Sequence, residues 1–82
     1  MISKETKKLF ESVVNEMDVW SEHCGFDEIV FSVYMLSIFL SHRIVVRVYN
    51  HKTNTGTEFS VEKNDAFYIN NLFAEAIRQV KE

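Results

Sequence analysis

Proline is missing from the 82 residues and glycine occurs only twice, which argues against a disordered linker or low-complexity segment anywhere in the chain. Cysteine is reduced to Cys24, so no intrachain disulfide can form, and the chain reads as a protein of a reducing compartment, the cytosol. Charge of either sign is scarce in excess. A net charge of −3 is too mild to mimic a polyanion and leaves no basic surplus to bind one. There is no internal repeat, no Gly-rich phosphate loop, no G-x-S-x-G elbow and no paired carboxylates in a recognisable frame, so an enzyme is not expected. The length allows one domain, spanning 1–82.

A membrane-length apolar run is missing too. The strongest hydrophobic stretch is "IVFSVYMLSIFL" at 29–40, in which only Ser32 and Ser37 are neither apolar nor aromatic. A hydrocarbon core needs about 20 consecutive apolar residues. Here Asp27 and Glu28 stop the run on one side and His42, Arg43 and Arg47 on the other. The polar opening "MISKETKKLFES" does not have the form of a signal peptide. The stretch is therefore expected to be a buried element or an interaction surface, without membrane insertion. The composition is 46% hydrophobic, with seven Phe, three Tyr and one Trp. A chain of this size hides only about 60–65% of its unfolded surface. That surplus points to an apolar self-interface, hence a homodimer, or to a face that meets a partner.

Four segments are legible. In 3–24, Leu9, Phe10, Val13, Val14, Met17, Trp20 and Cys24 recur at three- and four-residue steps, the mark of one helical face. Ser3 fits the N-cap, Glu5 the first turn, and Gly25 the stop, with Phe26 folding back on Trp20. Asp27 could cap a second helix over 28–41. Ile, Val, Phe and Tyr there favour a strand instead. The balance tips to helix, because a turn inside "VYMLSIF" would need Gly, Asn or Asp. Next, "HRIVVRVYN" alternates Ile44, Val46 and Val48 with Val45, Arg47 and Tyr49, and "TEFSVEK" alternates Phe59 and Val61 with Glu58, Ser60 and Glu62. This is an antiparallel hairpin whose loop "HKTNTG" draws on Asn54 and Gly56 for unusual backbone angles. Arg47 is expected to pair across it with Glu58 or Glu62. Last, Ile69, Leu72, Phe73, Ala76, Ile77 and Val80 form the apolar face of a C-terminal amphipathic helix, capped by Asn64 or Asp65. The fold class is α+β: helix, apolar helix or strand, hairpin, helix.

Chemically active side chains do not converge. His23, His42 and His51 lack the spacing of metal ligands, and Cys24 lies on the apolar stripe of the first helix, where it packs as a small hydrophobe. No metal and no cofactor are expected. His42, Arg43, Arg47, Tyr49, His51 and Lys52 gather around the hairpin and could track a phosphate backbone. Glu58 and Glu62 on the neighbouring strand favour a salt-bridged, solvated face instead. Trp20, Phe31, Tyr34, Phe39, Arg47 and Tyr49 are of the types that dominate interface energetics, which makes them the candidates for partner binding or self-association.

From "MISKETKKLFESVV" to "FAEAIRQVKE" the whole chain, compact, without Pro and rich in Lys, Asn and Phe, resembles the lysis-inhibition accessory proteins of the T-even phages. The resemblance implies a non-enzymatic regulator in the host cytoplasm that binds the cytosolic part of the phage holin and delays lysis. It assigns no role to any residue. A phage inhibitor of a host nuclease or another defence factor would fit the same composition.

Overall fold

The structure is a computed structural model that describes residues 2–24, 28–39 and 41–81. The elements run α1 (Lys4–Cys24), β1 (Ile29–Ile38), β2 (Ser41–Asn50), β3 (Thr55–Val61) and α2 (Ala66–Lys81). The strands form a three-stranded antiparallel sheet in the order β1-β2-β3, and both helices pack on one of its faces.

Both helices form where the periodicity places them, although Val14, expected in the α1 stripe, is half-buried and stands outside the core cluster. Ser3 caps α1, its Oγ accepting the Thr6 amide at 3.1 Å. Leu9, Phe10, Val13, Met17, Trp20 and Cys24 all turn to the core. Asp65, rather than Asn64, caps α2: its Oδ1 accepts the Tyr68 amide at 3.1 Å. Ile69, Phe73, Ala76, Ile77 and Val80 are then buried along one stripe. Gly25, Phe26 and Asp27, read as a helix stop, its fold-back contact and a second cap, lie outside the described residues.

The apolar stretch is a strand, which corrects the preference for a helix. Its alternation has physical content: Phe31, Val33 and Met35 pack with buried Ile29 on the core, while Val30, Ser32, Leu36 and Ile38 stay exposed. The missing turn residues are not missing in effect. The reversal comes after the stretch's last core contacts, with Phe39 itself at φ 58°, the left-handed region that Gly or Asn normally supplies. Asn54 takes the corresponding angle, φ 57°, in the β2–β3 loop. Gly56, expected in that loop, sits in β3 instead. A Cβ at this position would come to 3.1 Å from the Tyr49 ring, so a larger residue would press on that ring.

Register explains the core. Ile44 pairs with Val61, Val46 with Phe59 and Val48 with Thr57, so the inward residues of β2 and β3 lie side by side beneath the helices. Phe73 of α2 is the hub. Its ring lies within 5.2 Å of Phe59, 5.8 Å of Phe31 and 6.5 Å of Trp20, centroid to centroid.

Candidate functional site

Both helices occupy the same side, so the opposite face of the sheet is open. Cross-strand rows on that face are Val30–Tyr49–Gly56, Ser32–Arg47–Glu58 and Tyr34–Val45–Ser60. Leu36–Arg43 and Ile38–Ser41 follow on β1 and β2 alone. β3 pairs only with Ile44–Asn50, so the end of the β1–β2 hairpin projects past it.

The middle of the open face is a small polar network. Arg47 pairs with Glu58 at 3.3 Å, the nearer of its two expected partners. The Tyr34 hydroxyl donates to the same Glu58 carboxylate at 3.3 Å, and the Arg47 guanidinium lies 5.9 Å from the centre of the Tyr34 ring. Val45 is shielded to 5% exposure by these neighbours although no helix covers it. Tyr49 donates its hydroxyl to Asn54 and meets His51 edge-on at 5.0 Å, which braces the loop.

Towards the hairpin tip the face turns apolar. Leu36 is 41% exposed, Ile38 50% and Phe39 99%. On the tip's other side Ser37 and His42 face each other, Oγ to Nδ1 at 2.8 Å. Isolated exposed apolar side chains also stand on the helices, at Val19 and Phe67.

The six residues singled out from sequence therefore do not form one patch. Tyr34, Arg47 and Tyr49 share the open face, and Phe39 stands at its tip. Trp20 and Phe31 lie on the helix side around Phe73, where the Trp20 indole N–H donates to Glu16 at 3.1 Å. Leu36 and Ile38 give no sign of exposure when 28–41 is read as a helix; strand alternation places both on the outer face, and the early end of β3 leaves them without a neighbour on that strand.

Reactive groups stay apart. Among the described residues no three of His, Cys, Asp and Glu gather in a way that could hold a metal. Burial pushes the Cys24 thiol up, against the opposing Lys81 charge and with a smaller contribution from the Glu28 carboxylate, which disfavours the thiolate. No helix among the described residues is long and apolar enough to cross a membrane. Set against protein-family models, curated proteins and solved structures, the chain matches none of them.

Proposed function

We propose that the protein is a non-enzymatic regulator that binds another protein through the β1–β2 tip and the open sheet face behind it. The observation that carries this reading is Phe39, a bulky ring 99% exposed on a left-handed backbone. The conformation costs about 1–2 kcal/mol for a residue with a Cβ. A solvent-exposed ring recovers none of that inside its own chain. Such a position makes physical sense when the ring is buried by something else, and Leu36 and Ile38 beside it widen the apolar contact. The polar Arg47–Glu58–Tyr34 network then forms a rim.

Among protein partners, the likeness to the T-even lysis-inhibition accessory proteins supports the cytosolic segment of a phage holin, with delay of lysis as the outcome. An inhibitor of a host nuclease or defence factor would use the same surface. Nucleic acid has less support, because the carboxylate of Glu58 already neutralises Arg47 on the strand face where a phosphate would sit. The test is titration of the labelled protein with a peptide of the holin's cytosolic segment, followed by amide chemical shifts. Saturable shifts centred on Leu36, Ile38 and Phe39, lost in Phe39→Asp, are expected. No shifts at millimolar peptide, or shifts confined to the helices, would overturn the reading for this partner.

A further inference from the structure

The two edges of the sheet are built differently. β3 has Glu58 in its middle, and Glu62 and Lys63 follow it directly. β1 spans 10 residues, "IVFSVYMLSI", without a charge or a proline. An open strand edge is a template for pairing with another chain, and edges are ordinarily blunted by lysine, proline, a bulge or brevity. β1 uses none of these, and its register with β2 runs unbroken from Ile29 to Ile38.

One bond shows which backbone groups are left over. The His51 amide donates to the Glu28 carbonyl at 2.9 Å, which makes 28 and 51 a hydrogen-bonded pair. Alternation then turns the N–H and C=O of Val30, Ser32, Tyr34, Leu36 and Ile38 to β2. Those of Ile29, Phe31, Val33, Met35 and Ser37 point to the outer edge, and among the described residues no backbone group pairs with them there.

We infer that β1 pairs antiparallel with β1 of a second copy about a two-fold axis at Val33, fusing two three-stranded sheets into one. This register uses every outward group: Val33 faces its own copy, Phe31 faces the partner's Met35 and Ile29 the partner's Ser37. On the open face Val30 meets the partner's Leu36, and both are 41% exposed in the single chain. A strand without charge can lie against itself with no like-charge contact.

What selects a second copy is the strand itself. β1 carries no charge, and the two-fold axis sets the exposed Val30 and Leu36 of one copy against Leu36 and Val30 of the other, so the apolar half of each open-face edge is matched by the same strand run backwards. Sheet extension meets the open face only along β1, at Val30 and Leu36, and leaves the rest of that face open, so the inference does not depend on the proposed binding function.

The test is light scattering over a dilution series of the full-length protein, with amide hydrogen exchange at each end of the series. A dimer is expected whose Phe31, Val33 and Met35 amides exchange slowly and become fast on dilution to monomer. Val33→Pro removes an outward donor without touching the β2 ladder and should weaken the dimer at least about tenfold. Should that variant unfold, charge on the exposed open-face pair is the second test. Val30→Lys weakens the dimer several-fold, and adding Leu36→Glu, which this register sets opposite it in the second copy, restores it. A protein that stays monomeric, or a dimer whose Phe31, Val33 and Met35 amides exchange freely, overturns the inference. A monomer that still binds the holin peptide would overturn the dimer alone, whereas an edge-protected dimer indifferent to the peptide would sustain it while removing the holin as the partner.

Discussion

Asn50, at the end of β2, donates its side-chain amide to the Val80 carbonyl of α2 at 3.1 Å, thirty residues away in sequence. Asn50 is fully buried, and its Oδ1 also accepts the Lys52 and Thr53 amides at 2.8 and 3.2 Å. One side chain thus closes the β2–β3 loop and ties it to the last turn of α2. Asn50→Ala removes the acceptor of the two half-buried loop amides and empties a buried site. A loss of about 2 kcal/mol in unfolding free energy is expected, measured by urea denaturation. The Val80 carbonyl keeps the Thr53 hydroxyl at 2.9 Å, so Thr53→Val in the same background should cost more than it does alone.

Phe31 and Phe39 separate folding from binding. Phe31 packs against Phe73 in the core, so Phe31→Asp buries a carboxylate among aromatic rings. The expected cost is at least about 3 kcal/mol, a large part of a small domain's stability, seen as a broad or absent thermal transition. Phe39→Asp, on a ring that is 99% exposed, should leave the transition in place. Equal damage from the two substitutions would show that the tip is part of the folded core.

Phe39→Asn should make the protein more stable. Asn tolerates the left-handed backbone that Phe39 holds at φ 58°. Relief of about 1 kcal/mol is expected, read as a rise in Tm, together with weaker binding at the tip. A lower Tm would mean that the ring stabilises the hairpin in the isolated protein.

Glu75 titrates below the usual carboxylate range, held down first by its hydrogen bonds from Arg78 and then from Gln79. The Arg78 contact is 2.6 Å across one helical turn on an exposed surface. Because the folded-state value is depressed, the small stabilisation is present above the unfolded carboxylate value and fades as pH falls through the folded one. Arg78→Ala should return the Glu75 titration, followed by carboxyl carbon shifts, towards its ordinary position. An unchanged titration would assign the shift to Gln79 alone.

Cys24 should alkylate more slowly than a free thiol at neutral pH, because burial raises its pKa and lowers its thiolate fraction. The rate should climb above the ordinary thiol range and approach the free-cysteine rate on unfolding in urea. A faster native than unfolded rate would contradict the packing role.

Where the periodicity was uninterrupted by competing signals, residues could be placed from sequence to within one position. Ser3, Asp65, the stripes of α1 and α2 and the Ile44–Val46–Val48 face all depend on local spacing and capping, which act within a few residues. The stretch at 29–38 resisted because nearly every residue is apolar, so burial alone offers no period. The absence of Gly, Asn or Asp concealed a turn that the chain makes with Phe39 instead. The candidate site was half legible for the same reason. Tyr34, Arg47 and Tyr49 stand out by residue type and Trp20 also by its place on the α1 stripe, but the removal of Trp20 and Phe31 from any outer patch follows from their packing around Phe73, which no local pattern announces.

The sequence by itself determined the class of the fold, two amphipathic helices and a hairpin in one α+β domain, because helix and strand periods are written into neighbouring residues. It also determined that the chain carries more apolar surface than one small domain can hide. Only the tertiary structure decided where that surplus goes. Pairing of β1 with β2 along its whole length outcompeted a helix at 28–41, since the ladder satisfies the backbone while half the side chains reach the Phe73 core. With both helices on the same side and β3 ending early, the other half of β1 and the hairpin tip were left facing outward.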